Sequence, residues 1–143
     1  MQDDRLRGSL GHALVRLFRM VNRAHGRALK PHGVSTEQAH ILSILWTQGA
    51  MTIGRLQRLA ALSSPTLTGA LDRMEGQELV QRVPSPEDRR ASTIEPRVSP
   101  KQRAKIESTL EESEARCFAA LTAGERKELL RLLDKCLADL DAA

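Results

Sequence analysis

The stretch that decides the fold runs from Thr52 to Pro100 and reads TIGRLQRLAALSSPTLTGALDRMEGQELVQRVPSPEDRRASTIEPRVSP. Two short segments in it, Ile53 to Ala60 and about Ser64 to Gln77, have the apolar spacing of helices. At the start of the second segment, Ser64 is a suitable N-cap and Pro65 fits the first helical position, where no N–H is needed. The two segments predict a pair of helices joined by a tight turn.

The predicted helix at 64–77 has an apolar side and a side of small and polar residues. At about 100° per residue, the apolar side carries Leu67, Ala70, Leu71 and Met74. The opposite side carries Pro65, Thr66, Gly69, Asp72, Arg73 and Gly76. Small residues would let the helix backbone come close to a partner surface, and hydroxyl groups at its start could reach base edges or phosphates. The shorter helix before it is predicted to bury Ile53, Leu56, Leu59 and Ala60.

A hairpin is predicted after the second helix, because the apolar period changes there. Residues 79–83 alternate like a strand, residues 84–88 supply turn residues, and residues 92–98 form a return strand. Arg89 and Arg90 fall at the tip between the strands. Two arginines at a hairpin tip suit a surface that meets a polyanion.

In this stretch the chain resembles the MarR family of winged helix-turn-helix regulators. The resemblance is carried, in order, by Thr52-Ile53 with Leu56, Leu62-Ser63 with Thr66, Leu71 to Glu75, Leu79 to Arg82, Asp88 to Ala91, and Val98 to Lys101. The flanking helices match the family in number and order, so the resemblance extends over nearly the whole chain. The sequence departs from the family pattern where glycine is usual, at Ala61 and Glu78, and it places Pro96 inside the second wing strand.

The resemblance implies a mainly α (α+β) fold. It has a winged helix-turn-helix DNA-binding lobe over residues 35–98 and a helical dimerisation region from 1–34 and 99–143. The recognition helix is expected at about 64–77 and the wing at about 80–98. The resemblance also implies a set of DNA-binding residues, namely Ser64, Pro65, Thr66, Thr68, Gly69, Arg73, Arg89 and Arg90. Arg73 and Asp88 could pair and brace the wing, or Arg73 could simply contact a phosphate; the sequence does not separate these alternatives.

Composition and charge agree with duplex DNA as the nucleic-acid partner. The 143 residues contain Phe18, Trp46 and Phe118 as their only aromatic side chains, which leaves few platforms for stacking on single strands. The net charge of +4 is unevenly distributed. Residues 1–34 carry seven basic and two acidic side chains, whereas residues 106–143 carry five basic and nine acidic ones. Such a separation suits a protein that offers one face to a polyanion.

Long amphipathic helices are predicted on both sides of the central stretch. The first, about Leu6 to Leu29, has an apolar stripe and an arginine stripe. Ser35 or Thr36 caps a scaffold helix, Ser99-Pro100 begins another that reaches about Ala120, and a capping box at Thr122 opens the last. The apolar sides of the terminal helices need cover, so a homodimer is expected, with two recognition helices about one turn of DNA apart on a pseudo-palindromic site.

Several other chemistries find little support in the sequence. His32, Glu37 and His40 lie close together, but no H-x-x-x-H pattern or cysteine cluster accompanies them, so no metal site or cofactor is predicted. Cys117 and Cys136 lie among leucines and are expected to be buried and inert rather than a redox switch. The sequence has neither a nucleophile–base pattern nor a Gly-rich phosphate loop, so an enzyme is not expected, and the lack of an apolar leader predicts a cytoplasmic protein.

The expected function is that of a dimeric transcriptional repressor released from DNA by a small molecule. The arginine stripe, with Arg16, Arg19 and Arg23, suggests an anionic, aromatic effector. Two alternatives remain at this stage. One is a winged-helix module that binds protein, and the other is a small-molecule or metal-sensing protein without specific DNA binding.

Overall fold

The computed structural model describes residues 4–85, 87 and 91–142, with side chains from Leu6 onward within those ranges. Seven α-helices and three β-strands follow one another in these residues. They are α1 (Asp4–Arg7), α2 (Leu10–Leu29), α3 (Thr36–Gln48), β1 (Met51–Thr52), α4 (Ile53–Ala60), α5 (Ser64–Gly76), β2 (Val80–Pro84), β3 (Ser92–Pro96), α6 (Pro100–Cys117) and α7 (Ala123–Asp141). A single 3-10 turn (Lys30–His32) links α2 to the loop before α3. This order confirms the predicted winged helix-turn-helix with helices on both sides.

The sheet is antiparallel and contains a strand that the sequence did not predict. Its order is β1-β3-β2, with Met51 paired to Ile94 and Arg82 paired to the same residue from the other side. β1 has only two residues, too few to show an alternating pattern. Its strand character depends on pairing with β3, forty residues later in the chain.

Pro96 fits the sheet because it ends the central strand. It pairs with Val80, next to the hydrogen bond of 2.8 Å from the Arg97 N–H to the Leu79 carbonyl oxygen. In an antiparallel ladder the neighbour of a hydrogen-bonded pair is a non-bonded pair, so the nitrogen of Pro96 points away from β2. β1 does not reach this level, since its pairing stops at Ile94. The missing N–H therefore removes no ladder bond.

The core is aliphatic and centres on α3. The largest fully buried side chains include Leu29, Ile41, Leu42, Leu45, Leu56, Leu67, Leu71, Met74, Ile94 and Ile106. The predicted apolar side of α5 is confirmed, since Leu67, Ala70, Leu71 and Met74 are all buried. α6 joins the core through Ile106, and the Arg103 guanidinium lies 5.2 Å from the ring centre of Trp46 in α3.

Two helices begin at residues other than the predicted ones. In both, a serine hydroxyl accepts a hydrogen bond from a backbone N–H and so caps the helix. The first helix is not continuous from Leu6, since Ser9 is extended and its Oγ accepts a 3.1 Å hydrogen bond from the His12 N–H, which begins α2 afresh. The cap of α5 is Ser63 rather than Ser64. The first helical bond runs from the Leu67 N–H to the Ser63 carbonyl oxygen, so Pro65 stands one place later than predicted.

The other predicted caps are confirmed. Ser35 and Thr122 each begin a helix with a complete capping box, to Gln38 and Glu125 respectively, and Ser99 caps α6. Leu59, predicted as buried, is 46% exposed. The core side of α4 is formed by Leu56 and Ala60, and Leu59 lies about 90° around the helix from it.

At two positions where the family resemblance leads one to expect glycine, the backbone keeps a glycine-like conformation. Ala61 (φ 54°) and Glu78 (φ 58°) are the non-glycine residues with positive φ in the described part of the chain. Ala61 ends α4 and Glu78 follows α5, so both turns around the recognition helix carry side chains in the left-handed region. Such residues cost about 1 kcal/mol or more each. The tight turns are therefore set by the surrounding structure rather than by local preference.

The terminal helices leave large apolar faces uncovered. Large exposed side chains include Leu10, Leu14, Val15, Phe18 and Met20 of α2, and Leu130, Leu132, Leu133, Leu137 and Leu140 of α7. No residue of α7, which the structure describes in full, is buried. The expectation of buried cysteines is wrong for the single chain, because Cys136 on this face is exposed and Cys117 is only partly buried. Apolar surface of this extent marks an interaction site.

Candidate nucleic-acid interface and adjoining cleft

The start of α5 is presented outward by the packing of its apolar side. Because Leu67 and Leu71 are fully buried against the core, the predicted contact residues Ser64, Pro65, Thr66 and Thr68 are exposed, and Gly69 is partly exposed. The first turn of a helix has free N–H groups and the positive end of its dipole, a combination that suits phosphate oxygens. The structure therefore brings five of the eight predicted DNA-binding residues to one exposed helix end.

The hydroxyl groups at this end are not equivalent. The Ser63 hydroxyl donates a 2.7 Å hydrogen bond to Thr66 Oγ1 and accepts one of 3.4 Å from the Thr66 N–H. Thr66 is thus partly committed to the cap of its own helix. Thr68, one turn away from Ser64 on the exposed side, is the hydroxyl better suited to an external acceptor.

Arg73 lies over the surface that a side chain at position 69 would cover. A Cβ atom built on Gly69 would stand 3.5 Å from Arg73 Nη1, so the exposed Arg73 side chain runs back along α5 toward the predicted contact end. The family resemblance suggests a long side chain at position 69 in some relatives. Here the guanidinium of Arg73 reaches the same place from one turn later in the helix.

The wing is tied to α5 by Arg82, a residue that the sequence did not single out. In β2, the Arg82 Nη2 group donates to Asp72 Oδ1 at 2.6 Å, and its Nε lies 2.6 Å from Glu75 Oε1. Asp72 and Glu75 are three residues apart and lie on one side of α5. That spacing was the feature of the sequence that could have indicated a site for a basic side chain. The predicted brace between Arg73 and Asp88 stays a prediction, because Asp88 lies outside the described residues.

The structure describes the two strand ends that flank the wing tip, but not the two arginines within it. Strand pairing continues to Pro84 and Ser92, and the Ser85 N–H donates to the Ala91 carbonyl oxygen at 2.9 Å. Five residues, 86–90, separate these two ends. Arg89 and Arg90 lie among them and outside the described residues, so their predicted role stays a prediction.

The helices α2, α3, α6 and the end of α4 surround an open cleft of about 1270 Å³. Its walls include Phe18, Asn22, His25, Gly26, Lys30, Val34, Ser35, Thr36, Glu37, His40, Ser43, Ala60, Ala61, Leu62, Leu110, Glu111 and Glu114. Arg16, Arg19 and Arg23, the predicted effector-binding residues, are exposed on α2 and are not among the residues that line the cleft.

Two histidines of the cleft favour their uncharged form. His25 Nδ1 lies 2.7 Å from the hydroxyl of the buried Ser113, and burial lowers the pKa of His25 although Glu114 acts in the opposite direction. Desolvation likewise lowers the pKa of His40, with Glu37 opposing it. The other ionisable side chains of the lining are one basic residue, Lys30, and three acidic ones, Glu37, Glu111 and Glu114. The cleft carries net negative charge.

The histidine and acidic residues considered for metal binding do not converge. His32 Nε2 lies 2.9 Å from Thr109 Oγ1, and this hydrogen bond joins the 3-10 turn to α6. Within the described ranges, no three histidine, cysteine or acidic residues are grouped so that they could hold a metal ion.

Over the residues that the structure describes, no helix has the length and apolar character needed to span a bilayer.

Similar curated proteins include several transcriptional regulators. The transcriptional regulators YsmB and MhqR of Bacillus subtilis are 39% and 28% identical over 66 and 79 residues, and the chain spans about half the length of each, 45% and 54%. The regulator MgrA of Staphylococcus aureus is 28% identical over 95% of this chain and 92% of its own length.

Solved structures match over nearly the whole chain. A probable transcriptional regulator from Pseudomonas aeruginosa aligns with a TM-score of 0.79 and 25% identity, covering 92% of this chain and 98% of that one. A mutant MarR from E. coli complexed with operator DNA aligns at 0.77 with 23% identity, over 90% and 93% of the two chains. BpsR of Bordetella bronchiseptica, described with regulation of its DNA binding by 6-hydroxynicotinic acid, has the same TM-score, identity and coverage.

The sequence model of the MarR family matches residues 34–92, which contain α3, the helix-turn-helix and the wing. The relatives and the solved structures extend this agreement to the terminal helices. The winged helix-turn-helix part of the chain, residues 34–92, therefore belongs to the MarR family, whose members are transcriptional regulators.

Proposed function

We propose that the protein is a homodimeric repressor that holds a pseudo-palindromic DNA operator and releases it when a small molecule binds. The observation that carries this proposal is the exposed start of α5, held outward by a buried apolar side and tied to the wing by Arg82. The E. coli MarR structure with operator DNA supports duplex DNA as the partner of this surface.

The arrangement of this surface suits recognition of a major groove. Ser64 and Thr68 offer hydroxyl groups, Arg73 offers a guanidinium beside Gly69, and the exposed first turn of α5 offers backbone N–H groups. Side chains of this kind contact both base edges and phosphates. Because no long side chain grows from Gly69, we expect discrimination to depend in part on DNA shape and on the wing.

The uncovered faces of α2 and α7 support dimerisation. Each helix exposes at least five large apolar side chains, and burying apolar surface contributes roughly 25 cal/mol per Å² of favourable free energy. A second copy of the chain is the partner that both ends of the sequence predict. Two-fold symmetry then presents two α5 helices to successive turns of one DNA face, about 34–36 Å apart.

Binding to DNA is tested directly by its salt dependence. We expect the full-length protein to bind a duplex from the intergenic region upstream of its own gene more tightly than a shuffled duplex of equal composition. Because lysine and arginine contacts release counterions, the affinity should fall by about 10³–10⁵-fold between 50 and 200 mM salt. Fluorescence anisotropy measures both quantities.

The two alternative functions give different results in that experiment. A winged-helix module that binds protein, or a sensor that has lost DNA recognition, predicts equal and weak binding of both duplexes. If the specific duplex is not preferred at low salt, the repressor proposal is wrong. If it is preferred but its affinity does not depend on salt, the arginine contacts assigned here are wrong.

We propose that the effector occupies the cleft that α2, α3, α6 and the end of α4 surround. The example of BpsR and 6-hydroxynicotinic acid supports a small aromatic ligand, and the walls here supply apolar contacts from Phe18, Leu62 and Leu110. The charges of this cleft, however, do not favour the anionic effector suggested by the arginine stripe. Glu37, Glu111 and Glu114 outnumber Lys30, so the walls favour an uncharged or cationic aromatic compound.

A thermal-shift screen with benzamidine, benzamide and benzoate, and with larger aromatic sets of the same three charge types, tests this charge preference. A compound at about 100 times its Kd adds about 2.7 kcal/mol of stability, or roughly 5–10 °C in Tm for a protein of this size. We expect such shifts from cationic or neutral compounds, and we expect Glu114→Gln to reduce the cationic shifts. Glu112→Gln, outside the cleft, is the matched control. Larger shifts from the carboxylates would restore the anionic effector.

A further inference from the structure

Gln38, in the first turn of α3, is one of two buried polar residues among those described, with 8% of its surface exposed. Its side chain is hydrogen-bonded at both ends. The Oε1 atom accepts from the Ser35 N–H at 3.1 Å, and the Nε2 group donates to Gln77 Oε1 at 2.8 Å. A buried amide with its partners satisfied is costly to displace, because each unpaired group costs about 1–3 kcal/mol.

One end of this bridge lies at the cleft. The backbone segment that Gln38 holds, Val34 to Glu37, forms part of the cleft wall. The same segment is joined to α2 by the Thr36 hydroxyl, which donates to the Asn22 carbonyl oxygen at 3.1 Å. A molecule in the cleft would therefore touch the residues that set the position of the Gln38 side chain.

The other end lies where the recognition helix meets the wing. Gln77 is the C-cap of α5, and its N–H donates to the Arg73 carbonyl oxygen at 3.0 Å. The next residue, Glu78, has a left-handed backbone, and the Leu79 N–H donates back to the Met74 carbonyl oxygen at 2.9 Å before the wing begins. This end of α5 therefore has a single, well-defined path into β2.

We propose that Gln38 is a positioning residue that couples the cleft wall to the recognition helix through its hydrogen bond to Gln77. The proposal rests on the proposed function and adds the route by which the cleft acts on DNA binding. With a rise of 1.5 Å per residue, α5 is about 20 Å long, so a tilt of about 5° at its C-terminal end displaces its start by about 1.7 Å. A displacement of that size is enough to misalign hydrogen bonds to bases.

Coupling between two sites is reciprocal, so DNA itself can serve as the probe. When operator duplex fixes α5, the Gln38 bridge should hold the cleft wall more firmly. We expect amide hydrogen exchange in residues 35–39 of the wild-type protein to slow by about fivefold or more on binding the upstream duplex, within the range of typical coupling energies. Peptides from α7 provide the internal reference.

Two substitutions of Gln77 isolate the bridge. Gln77→Ala removes the acceptor, and since Gln77 is exposed and its cap bond is made by the backbone, the fold should be retained. We expect this variant to bind the duplex while exchange in residues 35–39 changes less than about twofold. Gln77→Glu keeps an acceptor for Gln38 Nε2 and should behave as the wild type.

The possible outcomes distinguish failure of the proposed Gln38 coupling from failure of the proposed DNA-binding function. Failure of the wild-type protein to bind the duplex would overturn the proposed function. Binding without slower exchange at 35–39 would overturn the coupling alone. The coupling is also wrong if Gln77→Ala keeps the full slowing, or if Gln77→Glu loses it.

Discussion

We expect the replacement of Leu137 with glutamate to convert the proposed dimer into a monomer that binds a two-half-site operator only weakly. Leu137 is 56% exposed in the single chain and lies in the middle of the apolar side of α7. In the proposed dimer an unpaired carboxylate there costs several kcal/mol, and two-fold symmetry introduces it twice. Since each 1.4 kcal/mol is tenfold, we expect the dimer dissociation constant to rise by about 10³-fold or more.

Sedimentation equilibrium and DNA binding together measure this effect. The wild-type protein should sediment at twice the 15.8 kDa mass of one chain, and Leu137→Glu at that mass. Ala138→Glu is the matched control, because it adds the same side chain about 100° further around α7 from Leu137, away from the apolar side. If the wild-type protein is a monomer at micromolar concentration, or if Leu137→Glu still forms the dimer, the assigned interface is wrong.

Replacing both Arg89 and Arg90 with alanine should give the second large effect, a loss of DNA affinity with the dimer intact. The two residues are predicted to contact the minor groove or its phosphates from the wing tip. Each phosphate contact removed should reduce the slope of log K against log salt by about 1. For the double variant we expect a reduction of about 2 in the slope and a 10–10²-fold weaker affinity at 0.15 M salt.

The control for the wing has the same change in net charge at a distant place. Lys127→Ala combined with Lys135→Ala removes two positive charges from the polar side of α7, where both residues are exposed. This variant should lose little affinity and keep the wild-type slope. Equal losses in the two double variants would show that overall charge, rather than the wing tip, determines binding. An unchanged affinity on removal of Arg89 and Arg90 would contradict the assignment.

The recognition helix shows how far sequence reasoning reached and where it stopped. Its apolar side was predicted in full, because burial follows the 3.6-residue period of the helix. Its cap was misplaced by one residue, since Ser63 and Ser64 offer the same hydroxyl and only the first backbone bond distinguishes them. The sequence suggested that Arg73 connects this helix to the wing by pairing with Asp88. In the described residues the connection is made by Arg82, which binds Asp72 ten residues earlier in the chain.

The effector prediction remains untested, but the cleft shows what the sequence could not reveal about its charge. The arginine stripe of α2 was visible in the sequence, but the cleft is assembled from four helices and takes its charge from Glu37, Glu111 and Glu114 instead. Residues more than seventy positions apart meet there. Periodicity along one helix shows which side is polar, but it does not show which other helix that side will face.

The sequence by itself determined the order of the helices, most of their caps, the helix-turn-helix and the family. These features depend on interactions within about four residues, such as the capping boxes at Ser35 and Thr122, and on the pattern of apolar side chains. The tertiary structure alone decided the strand at Met51–Thr52, the tie from Arg82, the cleft and the bridge from Gln38 to Gln77. Each of these requires groups far apart in the chain to meet, and no local preference encodes such a meeting.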